Sequence, residues 1–465
     1  MPFTMPVQAT YGARHTQNWK VYDTTGGVPP GTGAWINGKL ITRPLDWDEV
    51  LHHLYPTGSQ GYPLSALITK MSKKPAVDPE FNWFSKTLPS QEAINTGVYV
   101  DAALTAVYGG GGLVGDVIYI KTSLADIQHF RDGHEVMLVS PTDSTFMLRG
   151  KVVGVAQNGV NSFLAVNLLE ADVSSLLTNA GTVGLSTIVI GDINSEYGAM
   201  PGNLLYEPIK FTNYTQIFRE PLRISRTALQ SAYRIGSKGD YQEAHRETLE
   251  RHSIQKEKAW FFGLPTERMG ANGMPERTTA GLTWFIINFG GLVADFRTIN
   301  VPELVLPVGA KWIDWGGRFM DYCCSMIFRY GGMGGRLAFC GFGALAGINS
   351  MIKYGPNSNY TINTGMTSYG IAVTELITPF GKLNFVLHPL WGNYAHMRNT
   401  MYVVSMEDLQ YRALQDTKFY NDNTDRSLSH ARLDGIAEEY LTEAGLAMYN
   451  PVKFGIINGI GLDRP

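Results

Sequence analysis

Between about residues 113 and 193 the hydrophobic positions recur with a period of two. Val117-Ile118-Tyr119-Ile120, Glu135–Val139, Phe146-Met147-Leu148 running on to Val155, Phe163–Leu168 and Ser186–Ile190 are short runs rich in β-branched and aromatic residues, separated by Gly, Asp and Asn. That pattern predicts a small barrel or sandwich inserted in the chain. Upstream, residues 81–108 open with Phe81, Trp83 and Phe84 and close in the Val98, Val100 alternation of a strand. The glycine run Gly109–Gly112 then reads as a hinge into the insert, not as a phosphate cradle, because no helical pattern follows it.

Beyond the insert the period changes. Ile209 to Phe218 and Glu220 to Ser225 read as extended, and a helix is expected from Asp240 to Phe262. That helix carries Arg246 with Glu250 and Glu247 with Arg251 at four-residue spacing, so side-chain pairs support it more than a deep apolar stripe does. Gly263 and Pro265 end it. After residue 300 the pattern is mixed: helices at Trp312–Tyr330 and up to Tyr354, strands at Arg336–Cys340, Ile371–Leu376, Leu383–Leu387 and Met401–Val404, a polar loop at Asn421–Asp425, and a last strand region at Tyr440–Ile457. The first 80 residues, rich in Gly, Pro, Thr and scattered aromatics, read as an extended arm with one short helical pattern at Leu45–Leu54 after Asp46. No internal repeat is apparent.

Composition narrows the classes. A chain of 465 residues buries more than one core, and 44% hydrophobic against 17% charged residues, with 51 glycines, describes a folded protein with many turns. A formal net charge of −3 argues against the basic footprint of a nucleic-acid binder, so any DNA contact is expected to be incidental. Three cysteines, Cys323, Cys324 and Cys340, make neither a disulfide framework nor a zinc pattern, which suits a reducing cytoplasm. The start lacks the basic-then-apolar order of a signal peptide, and the run Gly281–Ala294 is too short and glycine-rich to span a bilayer.

Each pattern that suggests catalysis lacks a required residue. Gly341-Phe-Gly343-Ala-Leu-Ala-Gly347 follows an expected strand and opens an expected helix, as a dinucleotide-binding turn does, but no Asp or Glu lies between it and Thr374 to hold a ribose. A tight strand-to-helix turn is the simpler reading. The histidine pairs His52/His53, His129/His134 and His245/His252 include no His-Glu-x-x-His, and surface or contact histidines are expected rather than metal ligands. Asp422-Asn423-Thr424-Asp425 lacks the glycine and glutamate of a calcium loop and reads as a solvated turn. No Gly-x-Ser-x-Gly elbow or Walker loop is present, and Trp312, Trp315, Phe319 and Tyr322 fall at the spacing of a packed helix face. No catalytic residue, cofactor or metal is expected.

The segment Phe211-Thr-Asn-Tyr-Thr-Gln-Ile-Phe-Arg-Glu-Pro-Leu-Arg-Ile-Ser225 resembles a signature of the tailed-bacteriophage major capsid proteins. In that family a strand of this kind precedes a long helix. Further landmarks follow in the same order: Glu257 and Gly263 at the helix end, Arg277-Thr-Thr-Ala-Gly-Leu-Thr-Trp-Phe-Ile286, Tyr369-Gly-Ile-Ala-Val, and Phe380-Gly-Lys-Leu-Asn-Phe-Val386. Arg226 stands where the family commonly has a small residue. The resemblance covers about residues 205–460 and implies an α+β chain of the Hong Kong 97 capsid fold with a small all-β domain inserted in its extended loop. On that plan residues 1–80 are the N-terminal arm and 81–225 the extended loop, with the insert at 113–193. Residues 226–334 are the peripheral domain with spine helix 240–262, 335–400 the axial domain, and 401–465 a return to the peripheral domain.

It also implies a structural protein, not an enzyme, that is assembled in the host cytoplasm and resides in the virion. The implied partners are further copies in hexamers and pentamers, scaffolding, portal and decoration proteins, and enclosed double-stranded DNA contacted without sequence specificity, with no membrane. The candidate intersubunit contacts are Phe211, Tyr214, Ile217 and Phe218 along the strands, with Arg219, Glu220 and Arg223 supplying polar complementarity. The alternatives are an encapsulin-type compartment protein of the same fold, a nucleotide-dependent oxidoreductase, and a secreted β-rich adhesin.

Overall fold

The computed structural model describes residues 35–36, 39–40, 61–71, 73–86, 91–140, 146–173, 184–198, 200–225, 227, 239–301, 303–330, 334–354, 361–368, 371–421 and 435–465. Most of the expected arm, the expected helix Leu45–Leu54, Arg226 and the loop from Asp422 to Asp425 lie outside them. The chain divides into two units, one of 1–57, 221–250 and 421–438, the other of 58–220, 251–420 and 439–465. The second unit holds all three hydrophobic cores.

The first of these cores fills a closed barrel. Strands Ser186–Asp192, Glu92–Tyr99, Val117–Thr122, Phe163–Leu168, Met147–Ala156 and His134–Val139 follow one another around it, every neighbouring pair antiparallel, and the last closes on the first. Alternation drives the closure. Ile118 and Ile120, Val136 and Leu138, Leu148 and Val152, and Leu164, Val166 and Leu168 all point inward and are buried, while the residues between them are more exposed. Two expectations need correction. The barrel begins at Glu92 and not at 113, because Glu92–Tyr99 is the strand that lets Ser186–Asp192 close the ring. Gly109–Gly112 therefore lies within a barrel connection and is not a hinge leading into it.

A seven-stranded mixed sheet carries the second core. Its order is Leu292–Asp295, Gly455–Asn458, Met401–Val404, Gly335–Cys340, Gly381–Leu387, Ile371–Thr378 and Thr361–Ser368. Gly335–Cys340 runs parallel to Gly381–Leu387 and antiparallel to Met401–Val404. Helices Trp312–Phe328 and Phe342–Tyr354 cover one face, where Phe319, Met320, Cys323 and Ile348 meet Ala338, Cys340, Met401 and Val403. The alternate residues Phe339, Tyr402 and Val404 enter the third core on the opposite face. Burial on both faces explains why Met401–Val404 is apolar throughout. The sheet also extends beyond the expected 335–400 segment, drawing strands from 292–295, 401–404 and 455–458.

The third core is aromatic. Trp83, Phe211, Phe218, Trp260, Phe261, Trp391 and Tyr411 join helix Pro63–Met71, the ribbon of Glu80–Ser85 with Ile209–Tyr214, and the C-terminal half of helix Gly239–Phe262. A four-stranded sheet in the order Gln216–Ser225, Gly435–Met448, Leu409–Asn421 and Lys73–Pro75 completes the described elements near it.

Candidate assembly surface

The expected contact residues lie on the ribbon strand Ile209–Tyr214 and the edge strand Gln216–Ser225. Thr215 breaks the pair, and the chain turns there around Asn213. The buried Asn213 amide donates to the Leu446 carbonyl at 2.7 Å and accepts from the Ala280 amide at 2.7 Å and the Tyr214 amide at 2.8 Å. One side chain thus ties three separate segments, and a buried amide so satisfied fixes the turn.

On either side of that turn the two phenylalanines point inward. Phe211 stacks on Trp83 at 5.8 Å between ring centroids and meets Phe289 edge-on at 4.7 Å. Phe218 packs edge-on against Trp260 at 5.7 Å. Both are buried, at 4% and 5% exposure, so the expectation that they touch a neighbouring subunit is corrected: their area belongs to this chain's own core. Alternation then decides the rest. Tyr214 is half-buried, whereas Ile217, Arg219 and Arg223 occupy the outward positions of the edge strand. Arg219 forks onto Glu439 with nitrogen–oxygen distances of 2.6–2.9 Å, and this hydrogen bonding holds its guanidinium charged more firmly than usual. Glu220 accepts from Gln255 at 2.8 Å and pairs with Arg251 at 3.2 Å, so Arg251 reaches this strand. Pro221 is tolerated in the strand because it lies at a sheet edge.

The long helix Gly239–Phe262 is polar along its length, and each half solves this differently. In the N-terminal half Arg246 bridges Glu243 and Glu250, and His245 reaches Glu438 at 2.6 Å. The C-terminal half buries polar groups with partners. His252, with no exposure, shares a 2.7 Å hydrogen bond with the Thr442 hydroxyl, and burial beside Lys256 pushes its pKa down to about 4. Burial likewise brings Lys256 down to about 8, with its Nζ on the Thr417 hydroxyl at 3.0 Å. His252 is thus an interior residue, not the surface histidine expected of the sequence.

Glu257 is the most connected of these groups, and sequence reasoning gave it no role beyond marking the helix end. Its carboxylate, 1% exposed, accepts from the Leu64 amide at 2.9 Å, the Ser65 amide at 2.7 Å and the Ser65 hydroxyl at 2.5 Å. It therefore caps the first turn of helix Pro63–Met71 from outside, where the free amides and the helix dipole favour an anion. His388 Nε2 donates to the same carboxylate at 3.0 Å, and its ring stacks on Trp391 at 4.7 Å.

The glycine motif that imitates a dinucleotide turn does a packing job. A Cβ on Gly341 would lie 2.4 Å from the carbonyls of Met397 and Arg398, and one on Gly347 would lie 2.6 Å from the Gly461 backbone. These glycines let two backbones approach and leave no room for a phosphate. Among the described residues no cluster of His, Cys, Asp and Glu is arranged to hold a metal ion, and no helix is long and apolar enough to cross a membrane. The three thiols are buried, and burial raises the pKa of each.

The sequence profile of a family described as SU10 major capsid protein matches residues 41–461. A curated relative, the "Major capsid protein" of Pseudomonas phage PaMx41, is 25% identical over 420 residues, covering 87% of this chain and 90% of that protein. A solved chain from Microbacterium phage Oxtober96 is similar over 89% of this chain and 96% of its own, at 9% identity and a TM-score of 0.39. The holo-SrpI encapsulin complex from Synechococcus elongatus PCC 7942 is similar over 56% of this chain and 77% of its own, at 7% identity and a TM-score of 0.33.

Proposed function

The chain belongs to the SU10 major capsid protein family, and from that membership we propose that its copies assemble as hexamers and pentamers into an icosahedral shell around double-stranded DNA. Its members are structural phage proteins, not enzymes, and their place is the virion. The observation that carries the reading is the family match across residues 41–461, nearly the whole chain. A shell subunit needs many modest contacts, strong in sum and each reversible enough to correct errors. The edge strand with Ile217, Arg219 and Arg223 facing outward offers one such contact, with Tyr214 and Glu220 at its margin.

On this reading the chain follows a Hong Kong 97-type plan. The residues ahead of helix Pro63–Met71 serve as the arm, the region to 225 as the extended loop enlarged by the barrel, helix Gly239–Phe262 as the spine, and the mixed sheet around 335–400 as the axial domain. Assembly takes place in the host cytoplasm with scaffolding, portal and decoration proteins as further partners. A net charge of −3 fits an inner wall that encloses DNA without gripping it. An arm that packs on neighbouring copies adds to assembly and not to the fold of its own chain. Deleting residues 1–40 is therefore expected to leave a folded subunit that assembles poorly, read by circular dichroism and electron microscopy. Closed shells in normal yield from that truncation would refute the role of the arm.

A further inference from the structure

Four Asn-Gly dipeptides occur in the chain, at Asn37, Asn158, Asn272 and Asn458, and the first lies outside the described residues. Asparagine is a thermolabile residue, and its commonest change begins in its own backbone. The amide nitrogen that follows it attacks the side-chain carbonyl carbon, and a following glycine puts no Cβ in the way of the five-membered ring. Ring closure asks two things of the fold: a side-chain amide free to turn onto the backbone, and a following N–H that is not already donated.

Asn158 meets both conditions. It precedes the short turn Gly159–Asn161 between barrel strands Met147–Ala156 and Phe163–Leu168. Other groups hold that turn. The Asn158 amide donates to the Ser162 hydroxyl at 3.0 Å, the hydroxyl donates to the Gly159 carbonyl at 2.8 Å, and the Asn161 amide donates to the Asn158 carbonyl at 3.0 Å. Among the described residues the Asn158 side chain and the Gly159 N–H have no hydrogen-bond partner, and both residues are exposed. A Cβ on Gly159 would meet nothing within 4 Å, so the ring has room.

The other two described dipeptides are closed. Asn272 is also exposed, but its Oδ1 accepts from the Met274 amide at 3.1 Å and the Gly273 N–H donates to the Gly270 carbonyl at 3.0 Å. Asn458 ends strand Gly455–Asn458, and its Oδ1 accepts from the Thr400 hydroxyl at 2.9 Å. Rotating the backbone into the ring disturbs one three-residue turn at Asn158, whereas at Asn458 it would also unpair a strand of the seven-stranded sheet.

We propose that Asn158 is a site of self-modification, at which the folded barrel converts this asparagine to aspartate and isoaspartate. The Gly159 nitrogen gives its proton to water and bonds to Asn158 Cγ; the Cγ–Nδ2 bond breaks, and Nδ2 takes up a proton and leaves as ammonia. Water then opens the cyclic imide. Breaking the new bond to Cγ leaves aspartate, and breaking the original peptide bond to the Asn158 carbonyl carbon leaves isoaspartate. One water is consumed, one ammonia is released and nothing is oxidised or reduced. Each event adds one negative charge to a chain whose formal net charge is −3. No enzyme or cofactor takes part, so the charge accrues with the age of the protein. The inference stands on the barrel turn and does not need the capsid reading.

The test incubates the full chain in mildly alkaline buffer made with heavy-oxygen water and follows each dipeptide by peptide mass spectrometry, with fragmentation that separates isoaspartate from aspartate. In the folded protein Asn158 should convert at least about tenfold faster than Asn272 or Asn458, the rate equivalent of one retained hydrogen bond. Its product should carry the heavy oxygen and include isoaspartate. In denaturant the three rates should converge, because all three are then plain Asn-Gly. Folded protein in which Asn158 stays intact or converts no faster than Asn272 would overturn the inference. So would a product free of isoaspartate, or a preference for Asn158 that persists undiminished in denaturant.

Discussion

Buried polar side chains tie distant segments of this chain to one another within its hydrophobic cores. Glu257 is the clearest case, because one carboxylate satisfies two helix amides, a hydroxyl and an imidazole. Glu257→Ala would strand all four, and the loss is expected to be about 3 kcal/mol, within the range for breaking a buried charged pair. Chemical denaturation would measure it, and hydrogen exchange should show helix Pro63–Met71 losing protection first. A variant within 0.5 kcal/mol of wild type, as is usual for surface sites, would mean the cap is not stabilising. His252 makes a pH prediction. Its folded pKa of about 4 lies below the ordinary histidine value of 6.5, so between those values the unfolded chain binds more protons and stability falls as pH falls. About 3 kcal/mol is at stake across that window. His252→Gln should flatten the dependence of melting temperature on pH between 6.5 and 4, and an unchanged slope would contradict the assignment. Neither residue was legible as special in the sequence. Their partners lie far along the chain, and a lone Glu or His on a polar helix carries no local signal. Phe211 and Phe218 show the reverse error, since alternation marks a buried position but not whether the burying surface belongs to the same chain.

At the scale of elements, periodicity located most strands, and what it missed has a physical cause. Met401–Val404 is a strand within the span expected of it, and Trp312–Phe328 is the expected helix to within two residues. The barrel's first strand, Glu92–Tyr99, was not counted with the others because its pattern is broken at Gly97 by a register shift and a glycine run separates it from the next strand. Helix Pro63–Met71 was absorbed into the expected arm; it is short, and its cap is supplied from 192 residues away. Two element-level expectations follow. Gly347→Ala would drive a methyl into the Gly461 backbone, so loss of several kcal/mol or of soluble expression is expected, whereas a variant that melts like wild type would show that the two backbones can part. Arg246→Ala, by contrast, removes ion pairs on a partly exposed helix face and should cost less than 1 kcal/mol by the same measurement.

For the whole molecule, the two kinds of reasoning reached different depths. Each catalytic pattern in the sequence lacks a residue or motif that its chemistry requires, and the ordered landmarks from Phe211 to Val386 pointed to a shell protein, a class that the family match over residues 41–461 establishes. The central claim is therefore tested most directly by purifying the full chain and imaging it by negative-stain electron microscopy as its concentration is raised. The account predicts closed shells, or hexameric and pentameric rings that grow into them. A folded protein that stays monomeric at all concentrations would contradict it.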